Sequence, residues 1–341
     1  MSPNPSNLAG FVVAAAAAAS GLLTAAWIRF ATRRQLLDLP GARRVHDVAT
    51  PRGGGIGIAL LMVAIFAWLA TQEARLPSLG WVAVGIGMFS ALGLFDDIRP
   101  LGALPKLAVQ LFAATVLVSA IPAQLAPGWL AWPIAVLGCA YTVNLFNFMD
   151  GSNGLVAAQG LVISLAVAWW PGQVEWLSVA GFVLAGACAG FLPFNLLKAR
   201  VFLGDVGSHA IGAGVFALLM LSWSESVLGL AECLLFATPL LVDTGYTLLR
   251  RARAGRPVWR AHREHLYQYG VRRGNSHLAI CLAYAAWTTI SVVLAVIGLS
   301  FRSSLVMWSL FMLNWAAGTA IYCGMRRHWL TARMRRGATR E

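Results

Sequence analysis

Eleven long apolar runs, separated by short polar stretches, are the feature that most constrains the fold of this chain. A run of about 20 apolar residues can cross a bilayer as a helix, because a helix satisfies its own backbone polar groups in hydrocarbon. The predicted spans lie near Leu8–Phe30, Gly55–Ala70, Leu79–Phe95, Leu104–Ala120, Trp129–Phe146, Leu155–Trp170, Val174–Pro193, Ser208–Trp223, Val227–Leu249, His277–Leu299 and Leu305–Met325. We therefore expect an all-α polytopic membrane protein with about 11 transmembrane helices, forming a single domain over residues 1–341.

The composition indicates a membrane protein and argues against a nucleic-acid partner. Only 11% of the residues are charged, whereas charged residues make up about a quarter of a soluble domain. A net charge of +13 would suggest nucleic acid in a soluble protein, but arginines in cytoplasmic loops fix topology and face anionic membrane lipids. The five cysteines lie in apolar runs without zinc or disulfide spacing, so we expect buried packing residues.

The basic residues predict the orientation of the chain. All of them except Arg29, Arg75 and Arg302 fall on one side of the predicted spans. Cytoplasmic loops carry the excess of Lys and Arg, so we expect a periplasmic N-terminus and a cytoplasmic C-terminus. No basic stretch precedes the first apolar run, which predicts a retained span rather than a cleaved signal peptide. The Ala14–Ala19 run within it is typical of a helix-packing face.

The stretch Asn144–Gly154 is a polar interruption between two predicted spans. Its amides and the Asp150 carboxylate are costly in hydrocarbon unless they are paired. Gly151 and Gly154 permit a tight turn and close approach of the backbone to a ligand. The alternative is a plain polar loop. Other chemistry-bearing stretches reach the same predicted side of the membrane, which favours a functional site there.

Two adjacent carboxylates, Asp96 and Asp97, close the third predicted span. They repel each other, so the pair requires a cation or a shared proton nearby. This pattern fits a base or a metal-associated pair, and equally a helix-end acid pair balanced by Arg99. Lys106 follows at the start of the next span and can meet a phosphate as a point charge. Alone, such a lysine more often snorkels to fix topology.

A second acidic stretch runs from Gly204 to Ser208, shortly after Asn195. Glycines there let backbone N–H groups converge, and the start of the eighth span is a helix N-terminus that attracts phosphate. Oxygen ligands such as Asp205 suit Mg²⁺, which shares substrate phosphates and keeps several waters. The alternative is that Asp205 is only the N-cap of that span.

The predicted cytoplasmic loop Arg250–Ser276 contains His262, Arg263 and His265. No cysteine or second histidine pair accompanies the two histidines, so zinc is not expected. A diphosphate or polyprenyl phosphate suits this set better, and a solvated basic loop is the alternative. The loop after the first span, with Pro40–His46 and Thr50–Gly55, could likewise cradle phosphate, although a role in topology alone is the default for its arginines.

Taken together, these motifs resemble the polyprenyl-phosphate N-acetylhexosamine-1-phosphate transferase family (glycosyltransferase family 4). The resemblance extends from Pro40 to about Gln268. Its matching pieces are Arg44–Gly55, Asp96-Asp97, Asn144–Gly154, Gly204–Ser208 and His262–Gln268. The last piece lacks the consecutive histidines of the phospho-MurNAc-pentapeptide translocase and looks like the O-antigen and teichoic-acid initiating enzymes. Asn153 is a departure, because several relatives carry Asp there.

The resemblance implies transfer of a sugar 1-phosphate from a UDP-N-acetylhexosamine to undecaprenyl phosphate, with release of UMP. It implies that Asp205 and Asn147 bind Mg²⁺, with Mn²⁺ as a substitute, and that Lys106 contacts the diphosphate. It implies that Asp96 deprotonates the lipid phosphate and that Asp97 organises the centre. The remaining residues of the expected substrate shell are Asp150, Asn153, Asn195, His262, Arg263 and His265.

The resemblance also implies a place for the protein in the cell. We expect a multi-pass protein of the bacterial inner membrane whose active-site cleft opens to the cytoplasm. Its product would initiate lipid-linked O-antigen, and hence lipopolysaccharide, or another cell-envelope glycan. Residues 250–276 are the expected substrate-recognition loop. A second copy of the chain, as a homodimer, is a further candidate partner.

Two other classes of protein would share the many spans. A cation- or proton-coupled transporter would also carry intramembrane acids, but near the midplane and within repeated halves. In this chain the acids cluster toward one face, and the sequence shows no repeat. A non-catalytic scaffold would have no reason to combine the Asp, Asn, Lys and His residues. The sequence therefore favours the transferase.

Overall fold

The computed structural model describes residues 5–38, 49–72, 78–121, 130–259 and 262–338, and within them the chain is almost entirely helical. The helices are α1 (Pro5–Arg33), α2 (Ile56–Gln72), α3 (Leu79–Ile98), α4 (Ala103–Val118), α5 (Ala131–Met149), α6 (Leu155–Ala168), α7 (Glu175–Asn195), α8 (Gly204–Ser224), α9 (Leu230–Arg253), α10 (Leu266–Arg272), α11 (His277–Leu299) and α12 (Ser304–Ala338). Each predicted span corresponds to one helix, and α10 is additional. The predicted all-helical membrane architecture is confirmed.

Helix length separates two groups of spans. Among the described residues, eight helices are long and apolar enough to cross a membrane, which makes the chain a multi-pass membrane protein. The helices α2, α4 and α6 have 17, 16 and 14 residues. At 1.5 Å per residue, the shortest of them is about 21 Å long, less than the roughly 30 Å of a hydrocarbon core. The count of eleven spans therefore stays a prediction.

Residue contacts divide the chain into two compact units, Met1–Leu228 and Gly229–Glu341. In the first unit α8 lies at the centre and packs against α2, α3, α5 and α6. Most residues of α8 are buried, as expected of a helix that is apolar on all sides. The second unit contains α9–α12, in which α9 packs against α11 and α12. The expectation of a single domain over residues 1–341 stays a prediction.

Small residues allow α1 and α7 to approach closely. A Cβ at Gly190 would lie 2.1 Å from the carbonyl oxygen of Ala17, and one at Gly186 would lie 2.8 Å from the Cβ of Ala16. This contact confirms the predicted packing role of the Ala14–Ala19 run. The expectation for the cysteines is confirmed for four of them, which are buried, and is wrong for Cys323, which is exposed on α12.

The helices extend further into the polar motifs than the predicted spans did. The last turn of α3 includes Asp96 and Asp97, α5 continues through Asn147, and α8 begins four residues before the expected Ser208. These helices continue past the apolar runs because their polar side chains find partners on neighbouring helices. One example is the amide pair of Asn144 on α5 and Gln110 on α4, with Asn144 Nδ2 donating to Gln110 Oε1 at 2.8 Å.

A short antiparallel ladder precedes α2. It joins β1 (Leu37–Asp38) to β2 (Thr50–Pro51), with Leu37 opposite Pro51. The backbone after β2 then pairs with the segment before α8, since Gly54 and Gly55 donate to the carbonyls of Phe202 and Leu203 at 2.8 and 2.9 Å. These two backbone hydrogen bonds hold the start of α2 beside the start of α8. The predicted motif residues Pro40–Arg44 and His46 lie outside the described residues.

Candidate active site

Lys106 joins two carboxylates from different helices. Its Nζ lies 3.0 Å from Asp96 Oδ2 at the end of α3 and 2.5 Å from Asp205 Oδ2 in the first turn of α8. The three side chains are 16–18% exposed. Asp96 Oδ1 also accepts the backbone N–H of Leu101 at 2.7 Å. Both Asp96 oxygens therefore have protein donors, and each oxygen keeps a further lone pair that can accept a proton.

Asp97 holds the first turn of α8. Its Oδ1 accepts the N–H of Asp205 at 3.0 Å, and its Oδ2 accepts the N–H of Val206 at 3.2 Å. A carboxylate is favourable at a helix N-terminus, where backbone N–H groups have no partner within the helix. The expectation that these N–H groups bind a phosphate is thus wrong for the two that Asp97 occupies. This geometry agrees with the predicted organising role of Asp97.

Close backbone approach makes the Asp97 contact possible. Gly204 has φ +76°, and a Cβ on it would lie 2.4 Å from Asp97 Oδ2 and 2.7 Å from the nitrogen of Gly53. A side chain at residue 204 would thus displace the carboxylate from the helix end. Arg52, directly before Gly53, places its Nε 3.7 Å from Asp97 Oδ1. Asp97 is therefore surrounded by the glycine-rich segment before α2, by Arg52 and by the N-terminus of α8.

Asn147 faces the same turn of α8. It lies in the last turn of α5, and its Nδ2 donates to Ser208 Oγ at 3.1 Å. The Ser208 hydroxyl in turn donates to the carbonyl oxygen of Asp205 at 3.4 Å. A single hydroxyl therefore connects the side-chain amide of Asn147 to the backbone of Asp205.

Asn195 has a structural task at the end of α7. Its Oδ1 accepts the N–H of Gly154 at 2.5 Å, and its Nδ2 donates to the carbonyl of Val201 at 2.9 Å. The side chain is buried, with 4% exposure of the residue. Asn195 thereby ties the start of α6 to the segment that leads into α8. Its predicted contact with substrate stays a prediction.

Asp150 and Asn153 lie in the turn between α5 and α6. Asp150 caps α5, and Asn153 is half-buried one residue before Gly154. Desolvation raises the pKa of Asp150 well above its usual value, and the carboxylates of Asp205 and Asp97 raise it further. The turn therefore favours a cation or a proton near Asp150.

The donor set of this region fits Mg²⁺. Asp205, Asn147 and Asp150 offer carboxylate and amide oxygens, the hard ligands that Mg²⁺ prefers. The Lys106 ammonium already places a positive charge against Asp205. Among the described residues, no three His, Cys, Asp or Glu side chains form a metal site by themselves.

The second unit carries the other predicted substrate residues. His262 and His265 are stacked, with ring centroids 4.9 Å apart. His265 is buried, whereas Arg263 is exposed. Desolvation, together with the charges of His265 and Arg251, lowers the pKa of His262 to about 4. The His262 ring is therefore neutral at pH 7 and can accept as well as donate a hydrogen bond.

Glu264 lies between the two histidines in the sequence and forms ion pairs with three arginines. Its carboxylate meets Arg250 at 2.5 Å, Arg256 at 3.2 Å, and Arg251. Although desolvation acts to raise it, hydrogen bonding to Arg250 and the charges of Arg250 and Arg251 hold the pKa of Glu264 below its usual value. The segment before α10 is thus tied to the end of α9 rather than simply solvated, contrary to the alternative of a solvated basic loop.

The structure adds residues that sequence reasoning did not select. A role in topology was only the default for Arg52, and its pairing with Asp97 was not predicted. Gln110 was not singled out, although a glutamine inside an apolar run was the available signal. His209 is fully buried on α8, with Nδ1 3.0 Å from the carbonyl oxygen of Phe89. Its position one turn after Asp205 was visible in the sequence, but its partner on α3 was not.

These helices and their clustered carboxylates define a multi-pass membrane protein with a charged site at the helix ends, and comparison with known proteins identifies its class. The sequence profile of glycosyl transferase family 4 matches residues 79–224. That range contains α3–α8 and the cluster around Lys106 and Asp205. The chain belongs to this family, whose enzymes are polyprenyl-phosphate N-acetylhexosamine-1-phosphate transferases.

Three similar proteins illustrate the range of the family. The decaprenyl-phosphate N-acetylglucosaminephosphotransferase of Mycolicibacterium smegmatis is 32% identical over 312 residues, covering 77% of this chain and 76% of the relative. A probable undecaprenyl-phosphate N-acetylglucosaminyl 1-phosphate transferase of Bacillus subtilis is 28% identical, covering 84% and 82%. A phospho-N-acetylmuramoyl-pentapeptide-transferase of Heliobacterium modesticaldum is 29% identical, covering 68% and 80%. Family membership favours the predicted enzyme over a transporter or a scaffold.

Proposed function

We propose that this enzyme transfers an N-acetylhexosamine 1-phosphate from a UDP-sugar to undecaprenyl phosphate and releases UMP, in a Mg²⁺-dependent reaction. The observation that carries the proposal is the Lys106 bridge between Asp96 and Asp205 at the ends of three helices. It brings an ammonium and two carboxylates together at one end of the bundle, in a chain whose relatives act on polyprenyl phosphates.

The location of this cluster suits the two substrates. A polyprenyl phosphate keeps its chain in the bilayer, and a nucleotide sugar arrives from water. The ends of α3, α5 and α7 and the starts of α4, α6 and α8 carry the polar side chains, so the reaction takes place where bilayer and water meet. The positive-inside rule assigns this end to the cytoplasm of the bacterial inner membrane.

The residues of the first unit divide the tasks of the reaction. Asp205 and Asn147 would hold Mg²⁺, which when bound offsets the charge of the diphosphate. Lys106 presents an ammonium to the same negative charge. Asp97 keeps the first turn of α8, and with it Asp205, in a fixed position. Fixed charges of this kind stabilise a phosphoryl-transfer transition state without reorganisation.

An in vitro assay tests the proposal. Full-length protein in detergent is given undecaprenyl phosphate, Mg²⁺ and one UDP-sugar at a time, including UDP-GlcNAc, UDP-GalNAc and UDP-MurNAc-pentapeptide. We expect UMP release together with a lipid-linked sugar diphosphate for one donor. Omission of the lipid should abolish UMP release, which separates transfer from hydrolysis. Absence of lipid-dependent UMP release with every donor would contradict the proposal.

The donor also bears on the pathway. We propose initiation of lipid-linked O-antigen or another cell-envelope glycan, because the His262–Gln268 segment differs from the consecutive histidines of the translocase. A strict requirement for UDP-MurNAc-pentapeptide would contradict this assignment and would leave the transfer chemistry intact.

A further inference from the structure

Asp243 is a buried carboxylate of α9 that the proposed reaction does not use. It is 1% exposed, and a buried carboxylate in a membrane-spanning helix requires partners. Its Oδ1 accepts the N–H of Leu266 at 2.7 Å, and its Oδ2 accepts the N–H of Tyr267 at 3.3 Å. The Tyr284 hydroxyl on α11 donates to Oδ2 at 2.6 Å.

The two backbone partners of Asp243 belong to the first turn of α10. That helix has seven residues, whereas an isolated helix shorter than about 12 residues is marginal in water. The position of α10 therefore depends on contacts outside the helix, and the Asp243 carboxylate holds its N–H groups directly. Gln268 adds a local contact, since its Oε1 accepts the N–H of His265 at 3.2 Å.

The same carboxylate constrains the histidines. His265 Nδ1 lies 3.5 Å from Asp243 Oδ1, and the side chains are 2% and 1% exposed. His262 stacks on His265. A substitution at Asp243 that moves the His265 ring would therefore also move the His262 ring. Thr247, one turn further along α9, contacts Asp243 Oδ1 and the carbonyl oxygen of Glu264 at 3.3 and 3.5 Å. Asp243 thus contacts each residue from His262 to Tyr267 either directly or through one intervening side chain. The exception is Arg263.

We propose that Asp243 is the positioning residue of the segment His262–Gln268, and that it sets the geometry with which this segment recognises the sugar nucleotide. The inference rests on the proposed transfer reaction and deepens it, because it assigns a task to a buried acid outside the Lys106 cluster. Asp243 acts through the backbone of α10 and the ring of His265, not by contact with substrate.

The test compares isosteric variants of full-length protein. Asp243→Asn replaces one of the two acceptor oxygens by an NH₂ group, which only donates. One of the N–H groups of Leu266 and Tyr267 therefore loses its acceptor. Tyr284→Phe leaves those two bonds in place and removes only the hydroxyl. Thr244→Val is the control, because Thr244 is the adjacent buried residue on α9 and its hydroxyl has no hydrogen-bond partner among the described residues.

The first readout is kinetic. We expect Asp243→Asn to raise the KM for the UDP-sugar, with the KM for undecaprenyl phosphate unchanged. The loss in kcat/KM for the UDP-sugar should be up to about 10²-fold, which a misplacement of about 1 Å can cause. Tyr284→Phe should shift the donor KM in the same direction by a smaller factor. A role in folding alone would reduce the yield of active protein and would leave both KM values at those of Thr244→Val.

The second readout is amide hydrogen exchange of the same proteins. At least one of the amides of Leu266 and Tyr267 should exchange about tenfold faster in Asp243→Asn, because one of their two acceptor oxygens is lost. If Asp243→Asn does not fold, Tyr284→Phe provides the test: its KM for the UDP-sugar should rise while its KM for undecaprenyl phosphate stays that of the control. An active wild-type protein whose folded Asp243 and Tyr284 variants keep the donor KM of the control would overturn the inference alone. A wild-type protein inactive with every donor would instead overturn the proposed function.

Discussion

Lys106 Nζ lies 2.5 Å from Asp205 Oδ2, although the two residues are 99 positions apart in the sequence. The bond joins the first turn of α4 to the first turn of α8, and the same ammonium holds Asp96 at the end of α3. The helix ends around the site are thus connected through one cation. Substrate phosphate and metal must therefore enter a cluster in which one ammonium already faces two carboxylates.

Replacement of Lys106 tests this arrangement. Lys106→Gln leaves Asp96 and Asp205 without their shared cation, and we expect kcat/KM for the UDP-sugar to fall by about 10²–10³-fold, as for loss of a preorganised charge. The control is Lys198→Gln, which changes the other lysine of the chain at an exposed position. Steady-state UMP release measures both variants. Equal kinetics of the two variants would remove Lys106 from the site.

Asp205 carries the metal prediction. Asp205→Asn should abolish transfer while the protein still accumulates in the membrane, because an amide is a poor replacement for a carboxylate ligand of Mg²⁺. EDTA should inactivate the wild-type enzyme, and added Mg²⁺ or Mn²⁺ should restore it. Glu225→Gln is a matched control, since Glu225 is exposed at the opposite end of α8. Undiminished activity in EDTA would contradict the metal assignment.

Asn195 supports a stability prediction. Asn195→Ala removes the partners of the Gly154 N–H and the Val201 carbonyl, and unsatisfied buried groups cost about 1–3 kcal/mol each. We expect a lower midpoint of thermal unfolding in detergent than for Gln72→Ala, which changes an exposed amide at the end of α2. An unchanged midpoint would show that these two hydrogen bonds do not hold α6 and the segment before α8 together.

Much of the fold and part of the site could be predicted from the sequence. Apolar runs located all eleven long or short apolar helices, because burial in lipid leaves a pattern of uniform hydrophobicity. The cluster was predicted as a set of residues near one face, but not its pairings. The capping of α8 by Asp97 and of α10 by Asp243 depends on how helices turn against each other, and apolar runs carry no information on that rotation.

Membrane orientation is tested by two cysteines at opposite ends of α11. In a background without the five native cysteines, Ser276→Cys precedes α11 and Ser304→Cys follows it. Both residues are exposed. An impermeant thiol reagent added to intact cells should label residue 304 and not residue 276, because the arginine-rich side stays in the cytoplasm. The reverse labelling pattern would show that the chain has the opposite orientation.

The predicted role of Asp96 as general base can be separated from a role in metal binding. A phosphate monoester has a second pKa near 6, so part of a lipid phosphate is already a dianion at neutral pH. If Asp96 removes the proton from the monoanion, Asp96→Asn should lower kcat by about 10²–10⁴-fold with little change in the KM of the donor. Activity should then recover as the pH rises through the lipid phosphate pKa, because the acceptor ionises without help.

The contacts of Asp96 supply the competing explanation. Because Asp96 accepts from Lys106 at 3.0 Å, its loss also changes how Lys106 balances Asp205. In that case the defect should respond to Mg²⁺ concentration and not to pH. A pH–rate profile of Asp96→Asn at saturating Mg²⁺, recorded beside Lys106→Gln, distinguishes the two. A flat profile with activity restored only by additional Mg²⁺ would show that Asp96 supports the charge cluster and is not the base.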